Sequence, residues 1–242
     1  MITIKNVNKN FGGVKALRRC TLETFQGQIT AIIGPNGSGK TTLFNSISRL
    51  LQIDMGNIYF QKKNLKKFCD YEVAKLGNSR TFQEVRLFNN LTIQQHLEIA
   101  ISETDELLFK NFFSKHKSMV KKVKEILSLV SLDKSLGTYA TDLSYGQRKL
   151  LDLAIALAKP HAVLMLDEPV AGVNPSLRNQ IKLVLKKLKK EGETIVLIEH
   201  DMNFVMDIAD TIFVLDSGTV IASGTPKQIQ NNKKVLDAYL GE

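Results

Sequence analysis

Aromatic residues are few in this chain, 7% of 242, with no tryptophan among them, and cysteine is limited to two positions. Cys20 and Cys69 match no metal-ligand spacing and cannot build a disulfide framework, so both read as free thiols of a reducing cytosol. Long hydrophobic runs are missing as well. The longest, Leu153–Ala158, falls far short of the ~20 residues a membrane-spanning helix needs. The opening Met1-Ile2-Thr3-Ile4-Lys5 alternates as a strand does and lacks the basic-then-apolar order of a secretory leader. No internal repeat, low-complexity tract or Pro/Gly-rich linker interrupts the sequence, which predicts one folding unit over 1–242.

What is present is the composition of an ordinary globular protein, 43% hydrophobic and 24% charged, long enough to bury a substantial core. The net charge of +9 raises the question of an anionic partner. The basic residues are scattered in small groups, Lys62-Lys63, Lys66-Lys67, Lys121-Lys122-Lys124 and Lys186-Lys187-Lys189-Lys190. No aromatics interleave with them as a base-stacking platform requires, so nucleic acid is not expected as a partner. A solvated helix face accounts for them, with attraction to an anionic membrane surface as the other reading.

The pattern along the chain alternates strands and helices. Ile2–Val7 alternates as a strand, and Gln28–Ile33 is an apolar strand running into a Gly-rich turn. A helix over Gly39–Leu51 and a strand over Asn57–Phe60 follow. In the last third, Ala162–Leu166, Thr194–Glu199, Thr211–Leu215 and Val220–Ala222 read as strands. Pro175–Lys190 is an amphipathic helix closed by Gly192, with Leu177, Ile181, Val184 and Leu188 on one face and Lys182, Lys186 and Lys189 on another. Asp201–Ala209 reads as a helix, Asp216–Thr219 as a hairpin turn, and two short helices end the chain. Between about 87 and 158 helical periodicity dominates, as in Val123, Ile126, Leu127 and Val130. The expected fold is α/β, with a mixed, mostly parallel sheet, an antiparallel β part and an inserted α-helical subdomain over about 87–158.

Gly34-Pro35-Asn36-Gly37-Ser38-Gly39-Lys40-Thr41-Thr42 fits the phosphate-binding loop G-x-x-x-x-G-K-[ST], between an expected strand and an expected helix. Its glycines let successive N–H groups turn inward on phosphate oxygens, and the helix behind adds its positive end. Lys40 is expected to reach the β- and γ-phosphates, and the Thr41 hydroxyl to hold Mg²⁺. The apolar run Ala162–Leu166 leads into two carboxylates. Asp167 is placed to hold Mg²⁺ through water, and Glu168 to polarise the attacking water. His200 follows the strand Thr194–Glu199, at the edge where open α/β sheets bind ligands. Gln83, taken by itself, passes as surface polarity.

Leu143-Ser144-Tyr145-Gly146-Gln147, between the phosphate loop and Asp167, makes the chain resemble the ABC ATPases over nearly its full length. Tyr145 departs from the usual glycine. The resemblance implies a P-loop NTPase fold of the RecA-like type and ATP hydrolysis by two such cassettes paired head to tail. Each ATP then lies between one subunit's phosphate loop and Ser144, Tyr145, Gly146 and Gln147 of its companion. It also implies that Phe11 stacks on adenine, that Gln83 senses Mg²⁺, that Glu168 is the catalytic base and that His200 meets the γ-phosphate. Ala171-Gly172-Val173-Asn174 occupies the family's dimer-contact loop, with Asn174 in place of the usual aspartate.

A narrower likeness joins Phe11–Leu17, Arg80–Phe88, Ala171–Pro175, Ile198–Met202 and Ala238–Glu242 to the ATPases of branched-chain amino acid importers. The stretch after Ile101 is shorter than that family has, and Leu150-Leu151-Asp152 replaces a more basic run. This likeness implies transmembrane permease subunits docking near Gln83, a second ATPase subunit (identical or related), an indirect link to a substrate-binding protein, and a peripheral place on the cytoplasmic face of the membrane. Importers of urea or short amides share much of this pattern, and a lipopolysaccharide-export ATPase ends similarly, although Arg80–Phe88 argues against the latter. A soluble ATPase of chromosomes or ribosomes is disfavoured: no sustained heptads separate Lys40 from Ser144, and the chain has one nucleotide site.

Overall fold

The computed structural model describes residues 1–102 and 112–240, with side chains described except at 112–117, 239 and 240. In chain order it forms β1 (Ile2–Phe11), β2 (Val14–Glu23), β3 (Ile29–Ile33), α1 (Lys40–Ile47), β4 (Met55–Phe60), β5 (Lys63–Asn64), α2 (Asp70–Lys75), β6 (Asn78–Arg80), α3 (Ile93–Ile101) and α4 (Phe112–Leu129). These are followed by α5 (Tyr145–Ala158), β7 (Val163–Asp167), α6 (Pro175–Lys190), β8 (Ile195–Ile198), α7 (Met202–Ile208), β9 (Thr211–Asp216), β10 (Thr219–Gly224), α8 (Pro226–Gln230) and α9 (Lys233–Leu240).

Two sheets result. A four-stranded antiparallel sheet runs β2-β1-β4-β5, and a six-stranded sheet runs β10-β9-β3-β8-β7-β6. In the second, β6 with β7, β7 with β8, β8 with β3 and β3 with β9 are parallel, and only the β9–β10 hairpin is antiparallel. The apolar runs of β3, β7 and β8 are buried at every residue because both faces of this sheet are covered. Side chains alternate between two cores. Ile29, Ala31, Ile33, Leu164, Leu166, Ile195 and Leu197 pack with the helices α3–α6. Ile32, Val163, Met165, Val196 and Ile198 pack with Ile2, Ile4, Phe44 and Phe60 of α1 and the antiparallel sheet.

Between β6 and β7 the described residues form α3, α4 and α5 without a paired strand of either sheet. Val123, Ile126, Leu127 and Val130 are buried as their spacing requires. The shortened stretch after Ile101 falls on 103–111, and the last two residues of the Ala238–Glu242 match are 241 and 242; both lie outside the described residues. The expected helix over Gly39–Leu51 ends early, at Ile47, because Arg49 turns left-handed (φ 59°) and its Nε donates to the Phe68 carbonyl. Strands β2 and β6 have no counterpart among the sequence-based expectations. β1 and β2 pair through repeated register shifts, with Asn6 and Arg19 at positive φ, which breaks the alternation a sequence pattern needs. β6 has only three residues.

The charged faces are less free than their pattern suggests. Lys182 pairs with Asp207 at 2.9 Å, and Lys189 pairs with Asp210, so α6 is tied to α7 and to the start of β9.

Candidate ATP-hydrolysis site at the carboxyl ends of the parallel strands

Four parallel strands deliver their carboxyl ends to one edge: β3 leads into Gly34–Thr42, β7 into Glu168, β8 into His200 and β6 into Gln83. This is the edge where an open α/β sheet presents ligand-binding loops. The Asp167 strand does not neighbour the phosphate-loop strand, because β8 lies between them.

The phosphate loop requires its glycines sterically. Gly34 has φ 150°, and a Cβ there would lie 1.9 Å from the Leu215 carbonyl oxygen. Gly39 has φ 100°, and its Cβ would meet the Ala16 oxygen at 2.4 Å, where β2 presses on the loop. Lys40 is buried, and its Nζ donates to the carbonyls of Gly34 and Pro35, each at 2.8 Å. The ammonium therefore sits inside the loop that carries it. Asn36, Gly37 and Thr41 are exposed at the loop and the start of α1, while Ser38 is buried.

Glu168, His200 and Gln83 come together. His200 Nε2 lies 2.8 Å from Glu168 Oε1, and Gln83 Nε2 donates to Glu168 Oε2 at 3.2 Å. Glu168 holds a left-handed backbone (φ 50°), a conformation that costs a non-glycine residue on the order of 1–3 kcal/mol and persists only where its surroundings enforce it. Here the enforcement is visible. Its N–H donates to the Ile198 carbonyl at 3.0 Å, its carbonyl accepts from Lys149 Nζ at 3.0 Å, and both carboxylate oxygens are engaged.

Asp167 is buried. Its Oδ2 accepts from Arg80 Nη2 at 3.0 Å, its N–H donates to Thr81 Oγ1, and its Oδ1 has no partner. Burial pushes its carboxyl upward in pKa and the Arg80 guanidinium pulls it back. The unpartnered Oδ1 fits Mg²⁺, a hard cation that takes one or two carboxylates and completes its shell with water and phosphate. Thr41 carries a hydroxyl oxygen and Gln83 an amide oxygen, hard donors of the type that Mg²⁺ accepts.

Ser144 caps α5. Its Oγ accepts from the Gln147 N–H at 3.3 Å and its own N–H donates to Gln147 Oε1 at 3.0 Å, a reciprocal capping box. The exposed Tyr145 donates its hydroxyl to the Ala171 carbonyl at 3.4 Å and packs on Gly172, so the residue that departs from glycine ties this helix to the following loop. Asn174 uses its amide oxygen to cap α6, accepting from the Leu177 N–H. Phe11 is half-exposed at the β1–β2 turn, with Lys9 Nζ 5.4 Å from its ring.

Three participants escaped sequence reasoning. Arg80 pairs with Asp167. Glu199, buried, accepts from the Val170 and His200 N–H groups, and burial raises its pKa. Lys149 bridges Gln83 and Glu168 through their carbonyls. A signal for Lys149 existed, since helical spacing places it with Leu153 and Ala156 on the buried stripe of α5.

Comparison with known proteins agrees with this geometry. Residues 17–171 match the ABC transporter family, and residues 219–242 match the branched-chain amino acid ATP-binding cassette transporter family. A probable branched-chain amino acid transport ATP-binding protein LivG of Archaeoglobus fulgidus is 37% identical over 100% of this chain and 95% of its own length. Among solved structures, the ADP conformation of an ATP-binding cassette of an ABC transporter superposes with a TM-score of 0.86, at 33% identity, covering 100% of this chain and 99% of that one. A dimeric bacterial ABC transporter cassette gives 0.83, at 27% identity, with 93% and 99% covered. Matched along its whole length and equipped with phosphate loop, carboxylates and capped signature helix, this chain belongs to the ABC transporter family as one of its ATP-binding, ATP-hydrolysing subunits.

Proposed function

We propose that the chain powers uptake of branched-chain amino acids, as the ATPase subunit seated peripherally on the cytoplasmic face of a membrane permease. One observation carries the chemical part: Glu168 is held between Gln83 and His200 at the edge where Lys40 and its loop lie. In this reading the whole chain is one nucleotide-binding domain, with the helices of about 87–158 as its inserted lobe. The loop Gly34–Thr42 cradles the phosphates of ATP and Phe11 supports the adenine. Glu168 accepts a proton from water as the oxygen attacks the γ-phosphorus and the bond to the bridging oxygen breaks. His200 and Gln83 fix the orientation of that carboxylate. Mg²⁺ bound with the nucleotide would be held by Thr41, Gln83 and, through water, Asp167, and would neutralise charge on the phosphates.

Two cassettes pair so that Ser144–Gln147 of one covers the nucleotide in the other. That a similar bacterial ABC transporter cassette is dimeric supports the pairing itself. The permease docks beside Gln83, where Leu50, Tyr71 and Phe88 are exposed and Leu50, Tyr71, Phe82, Ile155 and Pro160 line a groove. Among the described residues no helix is long and apolar enough to cross a membrane.

The solute is tested by reconstituting the chain with its cognate permease and companion ATPase, then measuring ATP turnover with the binding protein carrying leucine or urea. Stimulation by the leucine-loaded protein alone is expected. Stimulation by urea instead would reassign the importer.

A further inference from the structure

Lys149 lies in α5, on the stripe that this helix buries, and keeps only 5% of its surface. Lysine is seldom found so deep, because its ammonium loses water and its long side chain loses freedom. Burial lowers its pKa, and Asp152 first, then Glu199, Glu168 and Asp167, hold the charge in place. Its Nζ donates to the carbonyl oxygens of Gln83 at 3.1 Å and of Glu168 at 3.0 Å. Both acceptors lie just past the ends of the strand ladders, since β6 pairs with β7 as far as Arg80 and Met165, and β7 with β8 as far as Asp167 and Ile198. One ammonium thus joins three pieces of chain: the helix that begins at Ser144, the segment carrying Gln83 and the left-handed residue Glu168.

We propose that Lys149 is a positioning residue that pins the backbones of Glu168 and Gln83 to α5, so that displacement of the Ser144 helix is felt at the hydrolytic carboxylate. Releasing the Glu168 carbonyl lets its strained backbone relax, and the carboxylate then leaves its place between Gln83 and His200. Binding of ATP by Gly34–Thr42 does not pass through Lys149. The inference rests on the reading of Glu168 as the general base.

The test compares wild type with Lys149→Met, Lys149→Arg and Glu168→Gln in the isolated subunit. The measurements are kcat, KM for ATP, and amide hydrogen exchange over 83–84 and 168–171. Misplacement of a catalytic group by about 1 Å costs up to about a hundredfold, so Lys149→Met is expected to lower kcat about ten- to a hundredfold. Its KM should stay within about threefold, exchange over both segments should rise, and Lys149→Arg, which keeps a charged donor of similar reach, should recover most of the turnover. Should Lys149→Met fail to fold, Lys149→Gln is measured by the same criteria. Wild-type kcat in the Met or Gln variant, or an Arg variant as impaired as Met with unchanged exchange, overturns the proposal. Turnover surviving in Glu168→Gln would instead overturn the general-base reading itself.

Discussion

Arg80 and Asp167 form an ion pair, Nη2 to Oδ2 at 3.0 Å, with 6% and 2% of their side chains exposed. The guanidinium is packed against the rings of Phe44 at 5.4 Å and Phe82 at 5.1 Å. Removing one member of such a pair leaves the other charge buried and uncompensated. Arg80→Met is expected to destabilise the protein by about 3 kcal/mol in urea unfolding. The double variant Arg80→Met/Asp167→Leu should cost less than Arg80→Met alone, because no stranded charge remains. Equal or additive losses would mean that the pair is not electrostatically closed.

Asp152, half-buried beside Lys149, has its carboxyl pushed up to about 7 by burial, against the pull of that lysine. An acid whose folded-state pKa is raised favours folding while protonated. It weakens the fold progressively as pH climbs from its unfolded value near 4 through about 7, and by a constant amount above that. Asp152→Asn should therefore match wild type below pH 4 and exceed it by about 2 kcal/mol at pH 8, less than the full shift converts to because the half-buried carboxylate is partly screened by water. Thermal midpoints of both proteins across pH 4–8 read this directly. A gap that shrinks with rising pH contradicts it.

The two thiols differ in reach. Cys20 is buried, and desolvation pushes its pKa up to about 12, whereas Cys69 is exposed ahead of α2. A thiol reagent at pH 8 should modify one thiol per native chain and two after denaturation, with the native label at Cys69. Fast native labelling at Cys20 would show that β2 opens readily.

Ser144 and Gln147 exchange hydrogen bonds that keep the first turn of α5 ordered and its N–H groups presented. Placing a long cation there should block ATP-dependent association of two subunits and leave ATP binding by the single subunit within about threefold. Sedimentation of Ser144→Arg with and without ATP measures this. Undiminished ATP-dependent dimers would remove the signature helix from the interface.

The site was legible in the sequence where its chemistry is contiguous. Gly34–Thr42, Asp167-Glu168 and Ser144–Gln147 each place the groups proposed for them within a few residues, and buried runs such as Val163–Asp167 announce their strands. What escaped depends on distance in sequence. The partnership of Arg80 with Asp167 spans 87 positions, and that of Lys149 with Gln83 spans 66. Gln83 itself was assigned through resemblance, since nothing in its neighbours announces that its amide reaches Glu168. Strand β2 was hidden by bulges that break period-two alternation, and the intervening place of β8 is a matter of topology that no local pattern encodes.

Glu168, held by Gln83 and His200, is the proposed base that activates water. It is tested most directly by steady-state ATP turnover of Glu168→Gln, a near-isosteric change that keeps an oxygen acceptor and removes the base. A fall in kcat of at least about a hundredfold, with ATP affinity unchanged, is expected. Turnover equal to that of the wild type would contradict it.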